Sequence, residues 1–241
     1  MNSSQDAGTI IFETLKNELL DLTIKPGQEI SENEICQRFN VTRPPVRTAL
    51  RRLSDMGLVE IKPYYGTHAS LLNMDKVYQI IHMRTVLEAN IICEFINSNP
   101  SAFVIEELEH NIRLQEILTA EKEIDSTQFF NLDNQLHLIW YRERNCEHIW
   151  NMIQEQKIEY TRFRMLDYKN TMSYTSMVSG HKNLVEAIKR HDTDSIPKLI
   201  GQHLHDGIRR TNEDVLKECA HFFIPPLQKE FWNSYTQQYY N

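Results

Sequence analysis

One aspartate and three histidines in the second half of the sequence have the residue types and the spacing of a metal site. Asp133 and His137 are four residues apart in a segment with helical periodicity, so their side chains share one apolar face of the helix. His181 and His203 also fall within apolar helical stripes, whereas His205 lies out of phase. Because carboxylate and imidazole groups bind divalent transition metals, we predict that Asp133, His137, His181 and His203 hold zinc, nickel or manganese.

A buried histidine also has an ordinary interpretation, because many core histidines are only hydrogen-bonded packing residues. That interpretation suits any one of the three histidines better than a ligand role does. Four in-phase polar residues on three helices reverse the balance, since each of them needs a partner inside the bundle. A metal with a purely structural role is a further alternative.

Arg84 and Glu88 lie on the inward phase of an earlier helical segment. In the functional interpretation they are effector-binding residues, and Arg84 meets the carboxylate of an organic acid beside the metal. In the alternative they form an ion pair four residues apart that braces the bundle.

A second group of charged residues suits contact with nucleic acid. Arg43, Arg47 and Arg51 are spaced by four, and they share one face of a predicted helix that Thr42 precedes. A guanidinium can bind a guanine edge or a phosphate through two hydrogen bonds. From position 38 to position 62 the sequence has six basic and two acidic residues, although the whole chain carries a net charge of -7. A solvated basic face is the alternative for the three arginines alone.

The segments around these arginines have the order helix, helix, helix, ribbon. The Lys-Pro-Gly at 25–27 stops a first helix, and a capping box at Ser31 and Glu34 starts a second one. Thr42 is expected to cap the third helix, and Arg52, out of phase with the basic face, is expected to meet DNA backbone or solvent. The ribbon follows over 58–69, with Gly66 near its tip. This order predicts a winged helix-turn-helix, whose third helix enters the major groove.

From residue 75 onward the sequence has helical stripes and no convincing strand pattern. We therefore predict a mainly α protein, in which the winged helix-turn-helix precedes an all-helical bundle of about six to seven helices. The predicted domains are 1–72 for DNA binding and 75–220 for effector binding and dimerisation, with Asn73-Met74 as the linker. Residues 221–241 form a C-terminal extension that packs on the bundle or on a partner subunit. The predicted helices are 75–97, 101–119, 126–142, 146–166, 180–190 and 194–218.

The composition is that of an ordinary soluble protein, with 41% hydrophobic and 24% charged residues in 241. Four scattered cysteines without a C-x-x-C pair fit reduced thiols. No run approaches 18 apolar residues, and the first residues lack a basic segment followed by an apolar one. We expect a cytoplasmic protein without membrane contact.

The N-terminal part resembles the GntR family of bacterial regulators over about residues 10–70. The resemblance rests on PGQEISENEICQRFNVTRPPVRTALRRLSDMGLVEIKPYYGTHAS, with its Pro-Gly, its Arg-x-Pro-Val-Arg-x-Ala-Leu and its wing glycine. It implies operator contacts by Thr42, Arg43, Arg47, Arg51 and Gly66. Thr42 stands where serine is commoner in the family, and Thr48 where glutamate usually follows the second arginine.

The remaining chain resembles the FadR-type subfamily, whose ligand-binding domain is the FCD domain, over about residues 75–218. The segments LDNQLHLIWYRERN and SGHKNLVEAIKRHDTDSIPKLIGQHL carry an Asp-x3-His and two later histidines. The resemblance implies that these residues hold a metal, although some members bind acyl or sugar-acid ligands directly.

Two functions from different classes follow from these observations. The first is a homodimeric transcription regulator whose affinity for operator DNA is controlled by a small carboxylate effector at the metal site. The second is a metal-dependent hydrolase or lyase fused to a DNA-binding domain. Because the sequence has no H-E-x-x-H and no nucleophile motif, we expect the regulator and no enzyme.

Overall fold

The computed structural model describes residues 3–156, 158–171, 174–210 and 218–240. It begins with three helices and a two-stranded antiparallel sheet, in the order predicted for a winged helix-turn-helix. These elements are α1 (Ser3–Leu20), α2 (Glu32–Phe39), α3 (Arg43–Asp55), β1 (Val59–Lys62) and β2 (Gly66–Ala69).

Local capping sets the ends of the short helices. The Ser31 hydroxyl accepts a hydrogen bond from the Glu34 amide at 3.3 Å, so the predicted start of α2 is confirmed. Asn40 ends α2 in the left-handed conformation, with φ of 51°. Thr42 occupies the N-cap position of α3, but its side chain makes no capping hydrogen bond. The prediction that Thr42 caps α3 through its side chain is therefore wrong, and backbone geometry together with the prolines at 44 and 45 starts the helix.

The wing is the β1–β2 hairpin, in which Val59 pairs with Ala69 and Lys62 pairs with Gly66. Gly66 has φ of 88°, a conformation that glycine adopts without steric cost, so the tight tip depends on this residue. Tyr64 and Tyr65 lie at the tip and are fully or largely exposed to solvent.

The rest of the described chain is almost entirely helical. Its helices are α4 (Met74–Asn97), α5 (Ala102–Thr119), α6 (Ser126–Glu143), α7 (Glu147–Gln156), α8 (Ile158–Thr171), α9 (Tyr174–Lys189), α10 (Ile196–Arg210) and α11 (Lys229–Gln237). Seven helices therefore lie between Met74 and Arg210, and α11 adds one, slightly more than the predicted six to seven.

Three of the predicted helices differ from those in the structure. The predicted helix over 146–166 is described as α7 and α8, on either side of residue 157, which lies outside the described residues. The predicted helix over 180–190 begins earlier, at Tyr174. The predicted helix over 194–218 is described from Ile196 to Arg210, and its remaining part includes residues 211–217, which the structure does not describe.

Buried apolar side chains form two separate clusters. The smaller one joins α1, α3 and the wing, and it includes Ile11, Leu15, Val46 and Leu50. The larger one fills the bundle, where α10 packs along α4, and α5 packs against α6 and α9. Ile158, the first residue of α8, contacts the smaller cluster, so α8 touches both parts of the chain.

The predicted linker residues are structured. Asn73 ends a two-residue strand, β3 (Leu72–Asn73), and its side chain caps α4 by accepting from the Lys76 amide at 3.2 Å. This strand pairs in parallel with β4 (Phe223–Ile224), a short strand that the helical pattern did not predict. The tail therefore returns to the junction between the wing and the bundle.

The C-terminal extension packs on the bundle of its own chain, which is one of the two predicted alternatives. The Trp232 ring stacks on Tyr78 with centroids 5.2 Å apart, and its indole N–H donates to Asp75 at 3.3 Å. The Tyr239 ring lies directly against Gly201, where any side chain would overlap with it. The absence of a Cβ at Gly201 thus lets the tail approach α10 closely.

All four cysteines are free, as the sequence predicted. Within the described ranges, we find no helix whose length and apolar character would let it cross a bilayer.

Candidate functional site

The four predicted metal ligands meet inside the bundle. Asp133 and His137 project from α6, His181 from α9 and His203 from α10, and their donor atoms all lie within 4.8 Å of one another. The Nε2 atom of His203 lies 3.1 Å from Nε2 of His137 and 3.2 Å from Nε2 of His181. We call these four residues the Asp–His cluster.

Burial and neighbouring charges favour the metal-binding forms of Asp133, His181 and His203. Burial alone would raise the pKa of Asp133, but the Arg164 guanidinium, together with His181 and His137, outweighs burial and holds this pKa well below its ordinary value. Arg164 Nη1 donates to Asp133 Oδ2 at 2.6 Å. Burial lowers the pKa of His181 and, more strongly, that of His203. An ionised carboxylate and neutral imidazoles are the forms that bind metal ions.

His137 is oriented by an acidic residue on α4. Its Nδ1 atom makes a short contact with Glu88 Oε2, and Arg84 Nε donates to Glu88 Oε1 at 2.6 Å. Nδ1 also lies 3.2 Å from Arg84 Nη2, which can only donate, but the contact with Glu88, which can only accept, is the shorter one and favours the proton of a neutral His137 on Nδ1. The Nε2 lone pair of His137 then faces the Asp–His cluster, as in metal-bound histidines that a carboxylate supports.

The surroundings of one buried carboxylate oxygen indicate whether a cation fits in the Asp–His cluster. Asp133 Oδ1 is buried and has no hydrogen-bond partner among the described residues. The Nε2 atom of His181 lies 3.3 Å from it, but outside hydrogen-bonding geometry. An unpartnered carboxylate oxygen that faces imidazole nitrogens is costly in a buried site, and a divalent cation would remove that cost. The residues present therefore fit a transition metal held by Asp133, His137, His181 and His203.

Arg84 and Glu88, the predicted effector-binding residues, lie next to the cluster and are fully buried. Each is paired with the other, as in the bracing alternative, and Glu88 also supports His137. The Arg84 guanidinium lies over the rings of Trp150 and Tyr160. Their contact with an effector stays a prediction.

A cavity of about 20 Å³ adjoins the cluster between α8 and α10. Its polar lining comes from Tyr160, Arg164, Asp167, His203 and Arg210. This volume holds about one water molecule, so an organic acid would require α8 and α10 to separate.

His205 lies outside the Asp–His cluster, in line with its predicted phase, but it is not directed to solvent. Its Nδ1 atom donates to the Gly201 carbonyl at 2.8 Å, and its ring packs on Tyr239 with centroids 4.9 Å apart. The C-terminal tail therefore covers His205 on a second buried face of α10.

Four of the five predicted DNA-binding residues lie on the exposed surface of α3 or directly before it, and the fifth, Gly66, is exposed at the start of β2. The side chains of Thr42, Arg43, Arg47 and Arg51 are exposed. Arg43 donates to Asn33 at 3.0 Å, and Arg47 donates to the Glu32 carboxylate at 3.1 Å. Exposed pairs of this kind contribute only about 0–1 kcal/mol, so DNA phosphates can replace them readily.

Arg52 is exposed, in line with the expectation that it meets DNA backbone or solvent. Its guanidinium also lies 3.7 Å from the centroid of the Phe12 ring on α1. The negative face of the aromatic ring attracts the cation and keeps Arg52 beside the N-terminal helix.

The sequence does not assign three polar residues that lie around the Asp–His cluster. For Arg164, the phase of its helix α8 is unclear from the sequence. Asn111 and Gln115 were not identified, although both fall in the same phase as Leu108 and Ile112 on α5 and are buried. Polar residues in an apolar stripe were the signal that would have found them.

Comparison with known proteins identifies both parts of the chain. The model for "Bacterial regulatory proteins, gntR family" matches residues 9–68, and the model for the FCD domain matches residues 79–206. The HTH-type transcriptional repressor RspR of Escherichia coli K12 is 27% identical over 229 residues, which cover 90% of this chain and 97% of that protein. The gluconate operon transcriptional repressor of Bacillus licheniformis is 22% identical over 209 residues, which cover 85% and 84%.

Two solved structures share the fold. Escherichia coli McbR/YncC has a TM-score of 0.64 at 17% identity and covers 84% of this chain and 95% of its own. A GntR protein from Rhodococcus sp. RHA1 has a TM-score of 0.65 at 18% identity and covers 84% and 96%. Since the FCD match alone spans more than half of the sequence, the chain belongs to the GntR family of DNA-binding transcription regulators, among the members that carry an FCD domain.

Proposed function

We propose that this regulator binds operator DNA as a homodimer and that a small carboxylate, bound at a divalent metal in the FCD domain, controls its operator affinity. The protein acts in the cytoplasm by recognition, without turnover. Zinc, nickel and manganese all suit the mixed carboxylate and imidazole ligands.

The observation that carries the proposal is the convergence of the Asp–His cluster around an unpartnered carboxylate oxygen. A packing role for the histidines would pair their nitrogen atoms with hydrogen-bond partners. Here, His203 Nε2 lies within hydrogen-bonding distance of two other Nε2 atoms but has at most one proton to donate, and Asp133 Oδ1 has no partner among the described residues, which favours a cation between them.

The chemical class of the effector follows from the two arginine side chains beside the Asp–His cluster. Arg164 donates to Asp133, and Arg84 is bonded to Glu88 and lies 3.2 Å from His137 through Nη2. When bound, the metal would accept an oxygen of an organic acid, and the adjacent cavity would be the position of the remaining ligand atoms. A guanidinium binds a carboxylate through two parallel hydrogen bonds, so Arg164 or Arg84 would orient the acid.

Helix α8 directly links this site to the winged helix-turn-helix formed by α1–α3, β1 and β2, which we call the reading head. Arg164 holds Asp133, and two residues earlier Arg162 donates to the Ser70 hydroxyl at 2.9 Å and to the Ser70 carbonyl at 2.7 Å. Ser70 follows the last residue of the wing. A carboxylate that displaces α8 would therefore act on the wing, provided that it binds one arrangement of α8 more tightly than the other.

DNA binding is assigned to α3 and to the wing, with Thr42, Arg43, Arg47, Arg51 and Gly66 at the operator. One reading head offers few contacts, and two heads on a two-fold operator multiply them at fixed geometry. We assign dimerisation to the helical domain, residues 75–220.

The test uses the purified full chain and an operator fragment selected with this protein from random DNA. We expect about one divalent metal per chain by elemental analysis and a dimer by sedimentation. In a panel of short mono-, di- and tricarboxylates, at least one compound should change the operator Kd of the Zn²⁺-loaded protein by about 5- to 150-fold. A metal-free wild type that no carboxylate affects would contradict the proposal, and a metal-loaded protein that none affects would favour a structural metal.

A further inference from the structure

A chain of three hydrogen bonds connects the backbone of α6 to His181 through α5. Asn111 Nδ2 donates to the Leu132 carbonyl at 3.0 Å, Gln115 Nε2 donates to Asn111 Oδ1 at 2.7 Å, and His181 Nδ1 lies 2.7 Å from Gln115 Oε1. Gln115 is fully buried and Asn111 is nearly so. We call this chain the amide relay.

The direction of every hydrogen bond in the amide relay follows from its first member. A backbone carbonyl only accepts, so the NH₂ group of Asn111 must face Leu132, and its oxygen must face Gln115. The NH₂ group of Gln115 then faces Asn111, and its oxygen faces His181. An amide oxygen only accepts, so His181 donates from Nδ1–H. In a neutral His181 the Nε2 atom therefore carries a lone pair that faces the Asp–His cluster.

We propose that Asn111 and Gln115 are positioning residues that hold His181 in the Nδ1–H tautomer and thereby present its Nε2 lone pair for metal binding. This inference rests on the proposed metal function, and it assigns a role to two residues on α5 that contribute no metal ligand.

The amide relay is needed because the cluster itself favours the opposite tautomer. Asp133 Oδ1 lies 3.3 Å from His181 Nε2 and has no other partner among the described residues, so it would accept a proton from that nitrogen after a small ring rotation. An Nε2–H tautomer would satisfy Asp133 and block the metal, since a protonated ring nitrogen is not a ligand. Gln115 opposes this outcome by offering a well-placed acceptor on the other side of the ring.

The same chain also positions a second ligand. Leu132, whose carbonyl anchors Asn111, directly precedes Asp133, so the relay joins the backbone beside one predicted ligand to the ring of another. His137 is supported differently, by the ion-paired carboxylate of Glu88. An acceptor therefore faces Nδ1 in both histidines, a charged carboxylate at His137 and a neutral amide at His181.

The test compares full-length variants that differ in the acceptor at position 115. Gln115→Met keeps the length of the side chain and removes the acceptor, whereas Gln115→Glu keeps an acceptor for His181 and loses the donor to Asn111. Asn111→Leu leaves Gln115 in place but frees its amide to turn, and it serves as a second variant if Gln115→Met does not fold. Thr85→Val is the matched control, because Thr85 is buried in the same domain and, among the described residues, its hydroxyl bonds the Ile81 carbonyl of its own helix.

Two readouts are measured on each variant. The ¹⁵N shifts and long-range couplings of the His181 ring in the metal-free protein report its tautomer directly. Competition with a chelator gives the Zn²⁺ affinity. We expect the Nδ1–H tautomer in the wild type, in Thr85→Val and in Gln115→Glu, and a mixture or the Nε2–H tautomer in Gln115→Met. The Zn²⁺ affinity of Gln115→Met should fall by about 10- to 100-fold, while that of Gln115→Glu stays near the wild-type value. Asn111→Leu should move both readouts in the direction of Gln115→Met.

The inference is overturned if His181 in the wild type carries its proton on Nε2, or if Gln115→Met keeps both the wild-type tautomer and the wild-type Zn²⁺ affinity. An equal loss of affinity in Gln115→Glu and Gln115→Met would also overturn it, because hydrogen-bond acceptance would then be irrelevant. A wild type that binds no Zn²⁺ would contradict the proposed metal function, and the ring signals would still decide the role of the amide relay.

Discussion

His203 and His205 are two residues apart on α10, and their different surroundings show how position on one helix decides the role of a side chain. His203 points to the imidazoles of His137 and His181, where hydrogen bonds alone leave the nitrogen atoms poorly satisfied. His205 has a backbone acceptor at Gly201 and aromatic neighbours at Tyr235 and Tyr239. The first environment suits a metal ligand, and the second suits a packing residue.

We therefore predict opposite results for the two alanine variants. His203→Ala should lose the bound metal and the response to carboxylate, and its metal-free form should unfold near the wild-type temperature. His205→Ala should keep both activities but should be destabilised by about 2 kcal/mol or more, because it leaves a cavity between α10 and the tail. Elemental analysis and thermal unfolding of metal-free protein measure both effects. If His205→Ala releases the metal while His203→Ala retains it, the assignment of ligands on α10 is wrong.

At the scale of the element, α3 is the part whose function depends least on distant residues. Its apolar side chains pack in the core with α1, whereas Arg43, Arg47 and Arg51 are exposed. The exposed pairs that Arg43 and Arg47 make with α2 are weak in water, so both guanidiniums are available to DNA.

We predict that Arg43→Ala and Arg47→Ala bind the operator more weakly without a change in unfolding temperature. Loss of a base contact costs about 1–3 kcal/mol and relaxes specificity at one base pair, whereas loss of a phosphate contact weakens all sequences and lowers the salt dependence by about one ion. Arg113→Ala is the charge-matched control, since this arginine is exposed on α5, far along the chain from the reading head. Titrations at several salt concentrations distinguish these cases. Wild-type operator affinity in both variants would contradict the assignment of this face of α3 to DNA binding.

The inward-facing residues of a helix could be predicted from the sequence only where the other side of that helix faces solvent. The stripes of α4, α6 and α10 alternate with exposed residues, so periodicity placed Arg84, Asp133 and His203 correctly on inward faces. Helix α8 is buried on all sides from Glu159 to Tyr168, so its sequence has no polar face from which a phase can be assigned. For that reason Arg164 could not be paired with Asp133 before the packing was known.

The contacts of His205 and His181 were hidden for another reason. Tyr239, which covers His205, is more than 30 residues away in the sequence, and Gln115 reaches His181 across the α5–α9 interface. Local propensity carries no information about which side chains meet across such an interface, whereas the start of α2 at Ser31 depends only on neighbouring residues.

At the scale of the whole molecule, three hydrogen-bonded contacts among the described residues hold the junction between the reading head and the bundle, in addition to the apolar contact of Ile158. Arg162 binds Ser70, Glu159 accepts from the Asn73 amide at 3.4 Å, and β4 pairs with β3. Two of the three come from α8, the helix that also holds Asp133 through Arg164. A change in packing at the Asp–His cluster therefore has a short route of direct contacts to the wing, and effector binding is expected to be felt there.

We predict that Arg162→Met separates sensing from DNA binding. The variant should retain the metal, because Arg162 contacts Ser70 and Glu159 rather than the Asp–His cluster, and it should lose about 1–3 kcal/mol of stability from the missing hydrogen bonds. Its ratio of operator Kd values with and without the most effective carboxylate should fall toward one, and amide exchange over residues 66–73 should become faster and insensitive to that carboxylate. Arg142→Met is the control, since Arg142 pairs with Glu107 and Glu143 near the surface of the bundle. A wild-type ratio in Arg162→Met would show that the signal reaches the wing by another route, such as the contact of Ile158 with the core of the reading head.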